Sequence, residues 1–355
     1  MSLRLARTLL SCWIGALALA LIAAAPASAQ TPRPGQLGVA AGGGLHELTG
    51  EELAAELDVA RDAGARWLRF DVNWDVVQAG GPDSWAWEPF DRIVEGARAR
   101  GLKVLGTIWY TPAWARPPDT PVHRPPTEPA DYGRFAAAVA ERYGPLGVHH
   151  WEIWNEPNIP HAWAGGVSAK KYGLLLRAAS TAIRAVDPQA RIVSGGLSPA
   201  ATGGGSFTPP EFLRRLYRHG FRRDFDILGH HASMFPYSPL RKRSWSPWRQ
   251  MAWTKPSLRA LMQRRGDARK RIWITEYGAP TGGDRAVSEA RQALLLTDAY
   301  RLWAGYRWAG PLFWFATRDR GPESWHTRCG LVREDFSPKE SFGEYRALAD
   351  AALRR

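Results

Sequence analysis

The 355-residue sequence has only two cysteines, Cys12 and Cys329. That count excludes a disulfide-stapled scaffold and a cysteine-ligated zinc site. Acidic residues are in deficit, with 34 Asp and Glu against 47 Lys and Arg and a formal net charge of +13. Beyond Ala25 no stretch is long and apolar enough to be predicted as a bilayer span. Gly42-Gly43-Gly44 and Gly203-Gly204-Gly205 follow predicted strands but lack the spacing and partner residues of a nucleotide site. His, Cys, Asp and Glu show no metal-ligand spacing, so neither a metal nor an organic cofactor is expected. No repeat, low-complexity tract or composition shift marks a second domain. What the chain has in excess is tryptophan, 18 residues, more than a core alone requires. The surplus indole faces suit stacking on a ligand.

Residues 1–29 have the pattern of a secretory signal peptide. Arg4 and Arg7 provide the positive start and Leu9 to Ala25 the apolar run, and Pro26 precedes the small-residue site Ala27-Ser28-Ala29. Cleavage before Gln30 is expected to leave a secreted chain, extracellular or periplasmic, with Cys329 as its one thiol and no membrane span. Residues 30–355 are then expected to form a single domain.

From Leu37 onward, short apolar runs alternate with amphipathic helical stretches, the pattern of repeated βα units. Eight strands are predicted: Leu37 to Ala40, Trp67 to Trp74, Leu102 to Trp109, His149 to Asn155, Arg191 to Gly196, Phe225 to His231, Arg271 to Glu276 and Leu312 to Ala316. Helical patterns between and after them include Glu51 to Ala63, Tyr132 to Tyr143, Ala169 to Val186, Ser288 to Ala304 and Ser341 to Leu353. Arginine-rich helices are also expected over Leu213 to Arg223 and Arg264 to Arg271. The count is that of an α/β fold, a (β/α)8 TIM barrel, whose active face lies at the strand C-termini. Polar and aromatic residues gather at those ends: Arg69, Asp71, Asn73 and Trp74 on strand two, Trp109-Tyr110 on strand three, and His230-His231 on strand six.

Two glutamates end strands four and seven, Glu156 in Trp154-Asn155-Glu156-Pro157 and Glu276 in Trp273-Ile274-Thr275-Glu276-Tyr277-Gly278. Those strands face each other across an eight-stranded barrel, so both carboxyls reach one cleft. Paired facing carboxyls are what cleavage of a glycosidic bond needs, one to protonate the leaving oxygen and one to attack the sugar.

Those two motifs resemble the acid/base and nucleophile motifs of glycoside hydrolase clan A, with family 39 the nearest likeness and family 5 the next. The resemblance extends over the chain beyond the leader. It implies a retaining mechanism with Glu156 as general acid/base, Glu276 as nucleophile and Asn155 bonding the sugar 2-hydroxyl. It also implies Arg69 as a donor to the nucleophile, with Tyr237 or Tyr277 as a second, and a carboxyl separation of about 5 to 5.5 Å. His231 falls at the clan's strand-six histidine, but Ser233 stands where the clan has a tyrosine, which leaves Tyr237 as the replacement. Trp314 matches the strand-eight tryptophan that floors the catalytic subsite.

His230 is expected to be a buried core residue, and Glu152 an inward charge paired with Arg69. Trp67, Trp151 and Trp273 sit early in strands and are expected to pack. Trp109, Trp114, Trp154, Trp163 and Trp314 lie at or after strand ends and are candidates to stack on sugar rings. Trp245, Trp248 and Trp253, beside Arg241-Lys242-Arg243, occupy a long loop that either walls the cleft or is pinned by its own aromatics.

The basic surplus has two readings, a solvated face or attraction to an acidic polysaccharide. No nucleic-acid motif accompanies it, so nucleic acid is not an expected partner. The sequence therefore points to a glycoside hydrolase that cleaves a polysaccharide or oligosaccharide. Endo-β action, with an exopolysaccharide among the substrates, is the leading reading. An exo-acting β-glycosidase such as a β-xylosidase is the alternative, and a non-catalytic carbohydrate-binding barrel the lesser one. Sugar identity, linkage and oligomeric state are not encoded in any motif.

Overall fold

The computed structural model describes residues 30–354 except positions 242, 244 and 323. The predicted leader over residues 1–29, with Cys12, lies outside the described residues, as does Lys242. Eight strands follow in order: β1 (Leu37–Gly42), β2 (Trp67–Asn73), β3 (Lys103–Trp109), β4 (His150–Ile153), β5 (Arg191–Ser194), β6 (Ile227–His231), β7 (Arg271–Tyr277) and β8 (Ala309–Phe315). Each pairs in parallel with its sequence neighbour, and β1 pairs with β8, closing the barrel. The (β/α)8 architecture expected from the sequence is the observed one.

The outer ring comprises α1 (Gly50–Asp62), α2 (Trp74–Val77), α3 (Glu88–Ala99), α4 (Pro129–Tyr143), α5 (Ala169–Val186), α6 (Pro209–Arg218), α7 (Leu258–Arg264), α8 (Glu289–Ala304) and α9 (Glu340–Leu353). Side-chain caps set many of the starts. Thr49 accepts from the Glu52 amide and Glu52 returns a bond to Thr49, while Ser168, Thr208, Ser257 and Ser288 each accept from an amide of the first turn. The basic segment Arg264 to Arg271 is not a helix. Gly266, at φ +80, ends α7, and the chain turns directly into β7. Leu213 to Arg223 is likewise α-helical only to Arg218, with Gly220 in the left-handed region just beyond and a single 3-10 turn over Arg222–Asp224. Among the described residues no helix is long and apolar enough to cross a membrane.

Alternation along the strands sorts side chains between two cores. Trp67, Leu105, Val193, Ile227, Trp273 and Phe313, with Ala40, fill the lower barrel, where Trp67 meets Trp273 edge-to-face at 5.1 Å between centroids. The larger core lies between barrel and helices and contains Trp151. One period above Trp67 and Leu105, β2 and β3 carry Arg69 and Thr107 inward, and β4 carries Glu152 inward above His150, which packs on Trp67 and Trp273. The apolar plug thus becomes the floor of a polar site at the strand C-termini.

Candidate active site

Arg69 organises that floor. Its guanidinium is 1% exposed, and it donates from Nε to Oε2 of Glu152 at 2.6 Å, from Nη1 to Oε1 of Glu276 at 2.8 Å and from Nη2 to Oδ1 of Asn155 at 2.9 Å. Thr107 adds a hydroxyl bond to Oε2 of Glu152 at 2.9 Å. Burial would lower the Arg69 pKa, but Glu152 and Glu276 outweigh it and hold the group above its ordinary value. The expected Arg69–Glu152 pair is therefore present, and it fixes the arginine fork that also grips Glu276 and Asn155.

Local backbone irregularities aim the two glutamates. Strict alternation from Trp273 and Thr275 would turn Glu276 outward. The β6–β7 register slips between His230 and His231, so that His231 pairs with Glu276 and the carboxylate swings inward. After β4, Trp154 and Glu156 both take positive φ, +68° and +44°. For non-glycine residues these are strained conformations, held here by the Glu156 amide bond to the Gly196 carbonyl at 3.1 Å. Gly196 itself must lack a side chain, because a Cβ there would lie 2.2 Å from Nε2 of His231.

His231 links the facing walls. Its Nδ1 is 2.9 Å from Oε1 of Glu156 and 3.6 Å from Oε2 of Glu276. Those two oxygens therefore lie no farther apart than the sum of the two contacts, about 6.5 Å. The carboxyl side chains keep 22% and 24% of their surface open to the cleft. Burial raises Glu156, but the His231 bond and charge outweigh it and hold the carboxyl below its usual range. The converse holds for His231: burial lowers it, and the two glutamates lift it above its ordinary value. His230, on the same strand, is fully buried against the Pro247 carbonyl at 3.3 Å and pushed down to about 3 by burial, as a core residue would be.

Above the floor is a cleft of about 890 Å³. Trp109 and Tyr110 stack on each other on one side, and Tyr237, Trp245 and Trp325 line other parts of the wall. Asp71 also lines the cleft. Its Oδ1 is buried without a partner, and burial pushes its carboxyl up to about 7, with Arg69 opposing and Glu276 and Glu152 reinforcing the rise.

Two expected site residues are elsewhere. Tyr277 faces the helices, where its hydroxyl donates to the Leu295 carbonyl at 3.2 Å, so it is not a donor to Glu276. Trp314 is fully buried and donates from Nε1 to the Cys329 carbonyl at 3.1 Å. It shares the outward parity of Leu312, while Phe313 and Phe315 point inward, and Phe315 lines the cleft in its place. Of the other stacking candidates, Trp154 and Trp163 are core residues, and Trp114 packs against Trp74 with its Nε1 on the Gln78 carbonyl. The loop after β6 takes both roles proposed for it. Trp245 lines the cleft, while Trp248 is buried with Nε1 on the Ala232 carbonyl at 3.0 Å. Tyr237 reaches the cleft wall, and the Ser233 hydroxyl accepts from the Gly278 amide at 2.9 Å. Among the described residues Glu276 is contacted by Arg69 and His231 and receives no tyrosine bond. Asp71, one of the polar residues at the end of strand two, lines the cleft, while Phe315, Phe235, Arg285, Trp325 and His326 are lining residues that motif reasoning did not name; of these Phe315 follows from the parity of Phe313. The Cys329 thiol is buried and pushed up to about 12 by that burial. Among the described residues no group of three or more His, Cys, Asp or Glu is placed to hold a metal ion.

A closed parallel barrel with two glutamates facing across its C-terminal mouth, one held by a buried arginine, defines a protein of the glycoside hydrolase class. The chain belongs to the cellulase family, glycosyl hydrolase family 5, whose family model matches residues 45–309. It is 25% identical over 251 residues to a β-xylosidase of Geobacillus stearothermophilus, an alignment covering 64% of this chain and 49% of that protein. The chain thus spans about half the length of that relative. Among solved structures it resembles a family 39 glycoside hydrolase of Bacteroides cellulosilyticus, with TM-score 0.69, 23% identity and coverage of 89% of this chain and 64% of the other. It also resembles a monomeric β-xylosidase of Caulobacter crescentus, with TM-score 0.68, 17% identity and coverage of 90% and 69%. At those identities the likeness is one of fold.

Proposed function

We propose that the chain hydrolyses β-glycosidic bonds with retention of configuration, Glu276 being the nucleophile and Glu156 the general acid/base. The observation that carries this reading is the His231 bridge. It keeps the facing carboxyl oxygens within about 6.5 Å, at or below the lower limit of the about 6.5 to 9.5 Å that an inverting enzyme needs for its water.

Glu276 attacks the anomeric carbon while Glu156 passes its proton to the departing oxygen, which leaves a glycosyl ester on Glu276. Glu156, now a carboxylate, takes a proton from water as that water attacks the same carbon, and Glu276 departs as a carboxylate. Arg69 holds Glu276 in position by its bond to Oε1 and orients Asn155, which bonds a sugar hydroxyl beside the acid in this reading. His231 and Glu156 together supply the proton for the first step.

Endo action on a polysaccharide, with exopolysaccharides among the substrates, is the leading form of this reading. The cleft has room for several rings, and its aromatic faces run from Trp109 and Tyr110 to Trp245. The exo, β-xylosidase-like form is favoured by one observation. Phe235 and Trp325 meet at 5.8 Å between centroids and join the loops after β6 and β8 along one wall. The leader supports secretion, which N-terminal sequencing of exported protein would check.

Reducing-end release from a panel of neutral and acidic polysaccharides tests the function, comparing the full chain with Glu276→Ala. Release by the wild type alone supports hydrolysis, and its product lengths separate endo from exo cleavage. Binding without release by the wild type would favour a carbohydrate-binding barrel.

A further inference from the structure

The cations around the cleft fall into two groups. Arg69 and His231, at the floor, are paired with carboxylates. Arg243 and Arg285, on the wall, have no ion pair among the described residues. Arg243 lies with its guanidinium carbon 3.8 Å from the Tyr237 ring centroid, and Arg285 lies 4.6 Å from that of Phe235 and 5.1 Å from that of Trp325. All five residues line the cleft. Stacking on a ring face fixes a guanidinium in place and leaves its in-plane N–H donors free for an acceptor. Trp245 and Trp325 add apolar faces to the same stretch of wall. The acids that line the cleft, Asp71, Glu156 and Glu276, are all on the floor. An anionic ring would be repelled at the floor, where the bond is cut, and attracted at the wall.

We propose that this wall is an outer subsite for an anionic sugar, with Arg243 and Arg285 binding its carboxylate or sulfate group while Trp245 and Trp325 contact the ring. The proposal rests on the glycosidase reading of the same cleft and names its substrate class, a β-linked glycan carrying negative charge outside the cleavage subsite. It also gives the chain's basic surplus a role, drawing a polyanion toward a cleft whose wall holds the specific contacts.

The test measures binding separately from cleavage. Glu276→Ala protein is titrated with size-matched oligosaccharides that are neutral, uronate-bearing or sulfated, at low and high salt. The expected result is about tenfold tighter binding of an anionic member than of the neutral one, a margin that shrinks with salt. Arg243→Gln with Arg285→Gln in the same background should remove most of that margin, and Arg→Lys at both positions should restore much of it. The uronate and sulfate arms show which group the wall selects. Equal affinity for neutral and anionic members, or a margin unmoved by the double glutamine variant, overturns the proposal. Wild-type hydrolysis of the neutral member alongside equal affinities would sink the anionic subsite but leave the glycosidase reading intact. Anionic selectivity without hydrolysis of any member would instead count against the glycosidase reading on which the proposal rests.

Discussion

Nδ1 of His231 stands 2.9 Å from Oε1 of Glu156, so the proposed acid and its histidine share a proton. The two groups titrate as a pair. Glu156 is held low by the His231 bond and His231 is lifted by the two glutamates, which favours the imidazole as the seat of the pair's proton, one short transfer from the carboxylate. This arrangement supplies a protonated acid without a strongly raised carboxyl pKa.

A pH profile follows from it. The pair loses its one proton only as pH rises through the lifted value of His231, so the basic limb of kcat/KM should fall above the ordinary histidine pKa of about 6.5. In His231→Asn the limb belongs to Glu156 alone and should move toward acid. A basic limb that stays in place in this variant would count against the shared proton.

Glu156→Gln removes the proton donor but keeps the side chain's shape. Cleavage of an unactivated glycoside should slow by about 10²- to 10⁴-fold. A glycoside with a very acidic leaving group should lose much less in the first step, since its departure needs little protonation. Equal losses on both substrates would remove Glu156 from the acid role.

Arg69 and Glu152 form a buried charge pair at the site floor, 1% and 0% exposed. Arg69→Met leaves Glu152 uncompensated and should cost about 3–5 kcal/mol in denaturant unfolding, with activity lost because Glu276 is released. Arg69→Met combined with Glu152→Leu should recover much of that stability but no activity. Recovery of activity in the double variant would show that Arg69 does not position the nucleophile.

Asp71 has a pH signature of opposite sign to a paired carboxylate. Its folded pKa is raised from 3.8 to about 7, so the folded state holds a proton that the unfolded chain has released between those values. Its contribution is fully present below the unfolded pKa and is lost as pH rises through about 7. Asp71→Asn should therefore gain stability relative to wild type across that window and level off above it. A stability difference that stays flat with pH would refute the raised pKa.

Much of this site was legible in the sequence. All eight strands lie where the apolar runs place them, since glycine and proline sit at many of the junctions, as Gly101 does before β3. Both glutamates stand at the cleft, Arg69 contacts Glu276 and Asn155 as well as Glu152, and His231 reaches the cleft while His230 does not. What was lost depends on parity. Trp314 and Tyr277 were placed by motif, yet β8 alternates from inward Phe313, which sends Trp314 outward and Phe315 in. On β7 the slip opposite His231 turns Glu276 inward, and Tyr277 then faces the helices. A one-residue slip of this kind leaves no mark in the pattern of residue types. Trp154 was misplaced for a similar reason, since its positive φ ends the alternation of β4 one residue before the motif.

The central claim is that Glu276 attacks the anomeric carbon and that cleavage retains configuration. The most direct measurement is the anomeric form of the first product, followed by proton NMR during hydrolysis of a β-linked oligosaccharide before mutarotation mixes the anomers. The account predicts that the β-anomer appears first. The α-anomer appearing first would contradict it.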